Sequence, residues 1–209
     1  LRMADAGSLE FQVIPQGTFA RLLSAQAEGR PTLTTQTGLG TFIDPACGRG
    51  TPLANSQTQY VECVSEGLRF SCPEITHAVW NAPAADRHGN IYARGAAMIG
   101  DAPEISRIAR RNQGKVIVNV GKIVPEGYGP VLLRAEEVDA VVYYPGTEQT
   151  LSVPHRRAWS FLTTESRLST REGAARVAYV NKLLGITPMR GPADLALARL
   201  AAKIFTQHA

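Results

Sequence analysis

The chain has 209 residues, of which 44% are hydrophobic and 19% are charged, and its net charge is +4 at pH 7. These proportions are typical of a folded globular protein and exclude a disordered chain. No apolar run approaches the ~20 residues of a membrane span, no signal-peptide core opens the sequence, and the basic residues are dispersed. We therefore expect neither a membrane nor a nucleic acid as partner, and the positive balance suits an anionic small molecule.

The cysteines and histidines of the chain predict its compartment and its metal content. Cys47, Cys63 and Cys72 are odd in number and show no C-x-x-C spacing, which favours a reducing, cytoplasmic location. They are either small buried or half-buried hydrophobes or, for any one of them, a catalytic thiol. The four histidines have no Cys or His partner at ligand spacing, so no metal is expected.

The first third of the chain predicts a helix, a strand and a hairpin. Residues 18–28 place Phe19, Leu22, Leu23 and Ala27 on one helical face, and Gly29 is a plausible stop. The string PTLTTQT then reads as a short strand. Residues 57–71 alternate as a β-hairpin with its turn at 65–67.

The middle of the chain alternates strand and helix. ITHAVWNA (75–82) is a strand, followed by the turn-forming PAADRHGN and a short strand, IYA. Asp101 is a candidate N-cap for a helix whose Ile105, Ile108 and Ala109 face inward. Strands follow at 115–124, rich in β-branched residues as if buried on both faces, and at 138–145. This order predicts an α/β fold with a largely parallel sheet flanked by helices.

The last third of the chain departs from this alternation of strands and helices. We predict an α/β region over 1–145, an irregular connection over 146–169 and a helical segment over 170–209. Ser169 and Glu172 form a capping box for a helix that ends at Gly185, and a second helix runs through PADLALARLAAKIF. The chain begins on Leu, and no strand follows the last helix, so we expect the sequence to be part of a longer protein.

The string TQTGLGTFIDP, residues 35–45, is the most suggestive local feature. Glycines let backbone N–H groups approach a ligand closely, and such donors hold a carboxylate or an oxyanion. A structural turn is the alternative interpretation. His88, within the turn DRHGN, is likewise either a solvent-facing turn residue or a catalytic one. No G-K-[ST], no G-x-S-x-G and no helix-opening G-x-G-x-x-G occurs.

Four strings in a fixed order carry a family resemblance: IPQGTFARLL, GLGTFIDP, ADRHGNIYARG and ARRNQGKVIVNVGKIV. Together they resemble the family I CoA-transferases, in the propionate, acetate and acetoacetate group. The likeness covers residues 11–145, the later part of the first (α-type) half of such enzymes, and returns faintly in the last helix. It implies an incomplete copy of a NagB/RpiA-like α/β architecture. CoA and acyl-CoA would be substrates, with a short carboxylate as the other partner.

The resemblance also implies a mechanism and a division of residues. In that family a glutamate attacks the acyl-CoA thioester, and an acyl-glutamyl anhydride and then a glutamyl-CoA thioester form. Residues Gly38, Leu39, Gly40, Thr41 and Phe42 would line one wall of the acyl pocket. The family's glutamate stands in an N-[LI]-G-x-G-x-P-E string that this chain lacks, so a second half would supply it, and this chain alone would be inactive.

Two alternatives remain open at this point. The chain could be a non-catalytic, oligomeric binding or assembly module derived from a truncated CoA-transferase fold. It could also hydrolyse acyl-CoA with a Glu or Cys recruited in place. The loop after Pro45, ACGRGTPLAN, reproduces the family pattern only in part, and residues 146–190 do not resemble the family.

Overall fold

The computed structural model describes residues 2–53, 58–96, 98–146, 161, 163, 165–185 and 191–208, the last five by their backbone only. The chain divides into two compact units, Leu1–Glu165 and Ser166–Ala209, which we describe separately. Most of the predicted irregular connection lies outside the described residues. The domain boundaries predicted at 145 and 170 therefore stay predictions.

Two helices open the first unit. After a single turn, α1 (Arg2–Asp5), helix α2 (Gln16–Ala27) buries Leu22, Leu23 and Ala25. Phe19, which was predicted to face inward with Leu22 and Leu23, is 36% exposed. Gly29 lies just beyond the helix with a left-handed φ of 92°, a conformation that glycine adopts without steric cost, and so confirms the predicted stop.

A small antiparallel sheet packs beside α2. Its strands are β1 (Leu33–Thr35), β2 (Val61–Val64) and β3 (Gly67–Phe70), in the order β1-β3-β2. The predicted hairpin is confirmed, because Val64 pairs with Gly67 across the turn. The buried side chains of this part form one cluster: Leu22, Leu33, Ile43, Val61, Leu68 and Phe70.

A five-stranded sheet forms the larger part of the first unit. Its strands are β4 (His77–Ala85), β5 (Ile91–Tyr92), β6 (Lys115–Ile123), β7 (Val131–Leu133) and β8 (Ala140–Tyr143). The order is β7-β5-β4-β6-β8. The pairs β4–β6 and β6–β8 are parallel, and the pairs that involve β5 are antiparallel. The α/β class is confirmed, but the sheet is mixed rather than largely parallel, since β5 and β7 fold back as an antiparallel extension.

Helix α3 (Ala102–Arg111) covers one face of this sheet. It buries Ile108 and Ala109, as predicted, and its Ser106 Oγ accepts a hydrogen bond of 3.0 Å from Trp80 Nε1 on β4. Asp101 occupies the N-cap position, but its side chain makes no capping bond. A 3-10 turn at Ala135–Glu137 leads into β8.

Strand β6 is buried on one face only, contrary to the prediction that both faces are buried. Val116, Val118 and Val120 point into the core beneath α3 and are fully buried. Ile117 and Asn119, which alternate with them, are only half-buried. In the described part of the first unit, the helix lies on a single side of the parallel strands, so one face of β4, β6 and β8 stays open.

The second unit consists of α4 (Thr170–Leu183) and α5 (Pro192–His208). The predicted capping box is confirmed: Ser169 N donates to Glu172 Oε2 at 2.9 Å, and Glu172 N donates to Ser169 Oγ at 3.3 Å. Helix α4 has no buried residue, although Val177, Val180 and Leu184 share a face as predicted. None of the described helices is both long and apolar enough to cross a membrane.

Candidate functional site

The glycine loop, residues 36–50, turns back on itself directly after β1. Gly38 and Gly40 take left-handed φ values of 99° and 70°. A Cβ at Gly38 would lie 2.4 Å from Cγ2 of the buried Ile43, whereas a Cβ at Gly40 would meet nothing within 4 Å. Gly38 therefore lets the loop press against the core, and Gly40 forms its exposed turn.

A buried carboxylate holds the glycine loop together. Asp44 is 6% exposed, and its two oxygens accept bonds of 2.9 Å from Gly40 N and from Ala46 N. These two backbone donors lower the pKa of Asp44 below its usual value, the bond from Gly40 contributing most. Asp44 is a structural residue of the loop that the sequence pattern had not singled out. The Asp-Pro pair could have indicated this role, because an Asp side chain in a turn often accepts a hydrogen bond from the backbone two residues further on.

Three backbone donors of the stretch Gly38–Phe42 are bonded within the loop. Leu39 N donates to Gln36 O at 3.2 Å, Gly40 N to Asp44, and Thr41 N to Gly38 O at 3.1 Å. The side chains face the other way: Leu39 is 47% exposed and Phe42 62% exposed. The loop presents apolar side chains to the outside, and these three N–H groups are not free to hold an oxyanion.

The second half of the glycine loop closes over Phe42. Arg49 N and Gly50 N both donate to Phe42 O, at 2.8 and 3.0 Å. A Cβ at Gly48 would lie 2.4 Å from the same carbonyl oxygen, so only glycine fits there. The partly matching string ACGRGTPLAN thus has a structural role, which is to fix the backbone beneath the exposed phenyl ring.

Two thiols flank the Asp44 carboxylate. Cys63 Sγ donates to Asp44 Oδ1 at 3.4 Å, and Cys47 Sγ lies 3.7 Å from Thr41 O. Partial removal from water raises the pKa of both thiols, and the nearby Asp44 charge raises it further. A raised pKa leaves little thiolate at neutral pH, which argues against the interpretation of Cys47 or Cys63 as a catalytic nucleophile.

Replacing Asp44 by Asn is expected to speed the alkylation of Cys47 and Cys63 by iodoacetamide at pH 8, by roughly threefold or more. The substitution removes the negative charge that disfavours the thiolates, so more thiolate is present. Cys72 serves as an internal control, because its thiol bonds to Gln26 Oε1 at 3.3 Å and does not touch Asp44. Mass spectrometry of each cysteine peptide gives the rates. Equal acceleration at all three cysteines would instead show general opening of the fold.

The turn D-R-H-G-N is built around a second buried carboxylate. Asp86 is 4% exposed, and its Oδ1 accepts bonds from His88 N and Asn90 N at 2.9 and 3.0 Å. Its Oδ2 accepts bonds of 2.8 Å from Asn90 Nδ2 and Tyr92 Oη. Burial would raise the pKa of Asp86, but these donors outweigh it and lower the pKa to about 2. The carboxylate is thus ionised and fully bonded, which suits a structural role.

His88 is a solvent-facing turn residue, as one of the two interpretations expected. Its side chain is 70% exposed, and its Nε2 lies 3.8 Å from Glu126 Oε2. In the described part of the chain, no hydrogen bond or ion pair joins this turn to the glycine loop. The structure therefore builds the two predicted features as separate, internally bonded turns.

Several open clefts mark the first unit. One of about 390 Å³ lies at the carboxyl ends of β4 and β6, between the 87–88 turn and residues 123–126. Gly38–Phe42 line neither this cleft nor three others formed by described residues. Among those residues, no three His, Cys, Asp or Glu side chains come together so as to hold a metal ion.

Comparison with proteins of known sequence identifies relatives of this chain. No family model matches it. Caffeate CoA-transferase of Acetobacterium woodii is 31% identical over 122 residues, which is 56% of this chain and 23% of that protein. The mitochondrial succinyl-CoA:3-ketoacid coenzyme A transferase 2A of Mus musculus is 31% identical over 137 residues, or 58% of this chain and 25% of that protein.

Comparison with solved structures also finds CoA-transferases. An acyl-CoA transferase of E. coli O157:H7, solved as a thioester complex with CoA, matches with a TM-score of 0.70 and 25% identity. The match covers 85% of this chain and 38% of that one. Glutaconate coenzyme A-transferase from Acidaminococcus fermentans gives a TM-score of 0.55 at 17% identity, covering 85% of this chain and 60% of that one, which shows the fold alone.

The fold is thus that of a CoA-transferase α/β unit, and this chain matches only part of the length of the solved CoA-transferase chains. With the sequence relatives, it confirms the resemblance: the chain is a relative of the family I CoA-transferases. It spans about a quarter of the length of the curated relatives it matches.

Proposed function

We propose that the chain is part of a CoA-transferase that moves CoA between short carboxylic acids, with acyl-CoA and a free carboxylate as its substrates. One observation carries the proposal: the chain that holds the four ordered strings matches the fold of an acyl-CoA transferase over 85% of its length. The nucleophilic glutamate comes from a second half, because no glutamate of this sequence stands in the family's glycine-rich string.

The proposed reaction proceeds by covalent exchange on that glutamate. Its carboxylate attacks the donor thioester, which releases CoA thiolate and leaves an acyl-glutamyl anhydride. The thiolate attacks the glutamyl carbonyl and releases the donor acid. The acceptor carboxylate then attacks the glutamyl-CoA thioester, which releases CoA thiolate and leaves an acceptor-glutamyl anhydride. The thiolate attacks the acceptor's acyl carbon in that anhydride, which forms the new acyl-CoA and releases the free glutamate. Each step exchanges one acyl bond for another, so no redox partner is needed.

The glycine loop would form one wall of the acyl pocket, through Gly38, Leu39, Gly40, Thr41 and Phe42. Leu39 and Phe42 are the exposed apolar members, and a short acyl chain packed against them would leave water together with them. Asp44 stiffens the backbone that carries them. The N–H groups of Leu39, Gly40 and Thr41 are already bonded, so the oxyanion donors would be N–H groups other than these three.

Transfer from acetyl-CoA to propionate, followed by chromatography of the CoA esters, tests the proposal. The chain alone is expected to show no transfer, and a mixture with the complementary part of caffeate CoA-transferase is expected to show it. In that mixture Phe42→Ala should lower kcat/KM roughly tenfold, or about 1.4 kcal/mol of transition-state binding. Phe11→Ala, at an exposed phenylalanine outside the loop, should not. Transfer by the isolated chain would contradict the need for a second half.

A non-catalytic, oligomeric binding or assembly module is the second candidate. The lack of the family's glutamate string supports it, as does the open face of the larger sheet. Calorimetry with CoA and acetyl-CoA, combined with light scattering, separates the two functions. A defined oligomer that binds neither ligand favours the module, and binding of a CoA ester favours the transferase.

A further inference from the structure

Two of the three free cysteines lie against the glycine loop, and both are exposed. Cys47 belongs to the loop itself, and Cys63 lies on β2. Alternate residues of a strand point to the same side, so Cys63 points to the same side as Val61, which shares a buried cluster with Ile43 of the loop. Two thiols that are 16 positions apart in the sequence therefore come to the same part of the fold.

A single carboxylate joins these two cysteines. Asp44 Oδ1 accepts a bond of 3.4 Å from Cys63 Sγ and one of 2.9 Å from Ala46 N, so the Cys63 sulfur lies beside the residue that precedes Cys47. Asp44 O accepts a bond of 3.2 Å from Cys47 N, which holds the backbone of that cysteine in the same turn. Partial removal from water raises the pKa of Cys63 most, and Asp44 and the nearby Cys47 raise it further. The two sulfurs are therefore neighbours.

We propose that Cys47 and Cys63 are a redox modification site, at which a peroxide converts the two thiols into a reversible disulfide. One thiolate attacks a peroxide oxygen, which forms an S–O bond, breaks the O–O bond and yields a sulfenic acid and water. The other thiolate attacks the sulfenic sulfur, which forms the S–S bond and releases a second water. The two sulfurs lose two electrons, hydrogen peroxide takes them up as it becomes two waters, and the two thiol protons end in these waters.

The disulfide would tie the glycine loop to β2. Its formation requires Cβ atoms about 4 Å apart, so Cys63 gives up its bond to Asp44 Oδ1. Asp44 Oδ2 can keep the bond from Gly40 N, which leaves the turn at 38–42 in place. The cross-link closes the segment 47–63 and restricts the unfolded chain, which stabilises the folded state. A small thiol reverses the change by disulfide exchange.

The charge of Asp44 keeps the pair reduced when little peroxide is present. Partial removal from water and then this carboxylate raise the pKa of both thiols, so little thiolate is available at neutral pH. The disulfide therefore forms only when peroxide accumulates, which is the behaviour of a sensor rather than of a structural cross-link. The site acts on the loop whether or not the chain takes part in CoA transfer.

Peptide mapping after oxidation tests the site. Trypsin places each cysteine on its own peptide: Cys47 on 22–49, Cys63 on 50–69 and Cys72 on 70–87. The full chain is treated with excess hydrogen peroxide at pH 8, alkylated with iodoacetamide in urea and digested without reductant. Mass spectrometry should find the first two peptides joined, two hydrogen atoms lighter than their summed mass. Cys72 should take no part in the link, because its thiol bonds to Gln26 Oε1 at 3.3 Å, apart from the pair.

Two serine variants supply the controls. Cys72→Ser removes a thiol outside the pair, and the joined peptides should form to the same extent as in the wild-type chain. Cys63→Ser leaves Cys47 without a partner, and no joined peptide should form. The melting temperature of the wild-type chain should rise by roughly 5 °C on oxidation and fall again after dithiothreitol. Cys63→Ser should show no such reversible rise.

Three outcomes would overturn the proposal. The first is the absence of the joined peptides, whether the thiols stay free or are oxidised to sulfinic acids. The second is a link that includes Cys72 or that joins two copies of the chain, as a non-reducing gel would reveal. The third is a disulfide between Cys47 and Cys63 that lowers the melting temperature, which would show that the sulfurs meet only after the loop has opened.

Discussion

Replacing Asp86 by Asn is expected to destabilise the chain by about 3 kcal/mol at neutral pH and to remove part of its sensitivity to acid. An asparagine can keep the bonds from His88 N and Asn90 N, but its NH2 group would face Asn90 Nδ2, which is also a donor. The Tyr92 hydroxyl would lose its charged acceptor as well. Urea unfolding at pH 7 measures the loss.

The pH dependence of stability should change in the same variant. Hydrogen bonds lower the pKa of Asp86 from 3.8 to about 2 against the opposing effect of burial, so folding favours the ionised form. That preference contributes about 2 kcal/mol above pH 4 and is lost as the pH falls from about 4 through 2. The wild-type chain should therefore lose stability over this interval that Asp86→Asn does not lose.

Asp101→Asn supplies the matched control. It is the same chemical change at an exposed aspartate whose side chain makes no capping bond, and it should cost less than about 0.5 kcal/mol. If the wild-type chain and Asp86→Asn lose stability in parallel between pH 4 and pH 2, the Asp86 charge does not stabilise the turn.

Replacing Gly38 by Ala is expected to cost about 2–4 kcal/mol, from left-handed backbone strain and overpacking together. The new methyl group would lie 2.4 Å from Ile43 Cγ2, and Ile43 is only 1% exposed within the core of the small sheet. Either the loop lifts off the core or Ile43 is displaced.

Gly40→Ala separates the two causes. Gly40 also has a left-handed φ, but a Cβ there meets nothing within 4 Å, so only the backbone strain of about 1–2 kcal/mol applies. The difference between the urea midpoints of the two variants reports the contact of Gly38 with Ile43. Equal midpoints would show that this contact does not constrain the loop.

These predictions bear on how the proposed acyl wall works. Asp44 ties the loop together from within, and Gly38 sets it against Ile43, so Phe42 and Leu39 stand on a fixed backbone. Under this proposal the loop would contribute to a pocket through the position of these two apolar side chains. The bonded N–H groups of Leu39, Gly40 and Thr41 would not take part in oxyanion stabilisation.

The sequence by itself determined the α/β class, the β2–β3 hairpin, α3 with its inward Ile108 and Ala109, and the Ser169–Glu172 capping box. It also pointed to the relatives, because four short strings in order are more specific than any of them alone. The secondary-structure features are local, because periodicity, turn residues and caps act within a few residues along the chain. The resemblance is the sum of four such local strings.

Only the tertiary structure decided the rest. The sheet is mixed because the β5–β7 pairing forms through long-range contacts, which no local pattern encodes. The alternation of β6 could not reveal that α3 covers a single face, since burial depends on what packs against a strand. The same holds for the string TQTGLGTFIDP. Its glycines predicted free N–H donors, but Asp44, four residues beyond Gly40, takes one of them, because a buried carboxylate is stable only when it accepts hydrogen bonds.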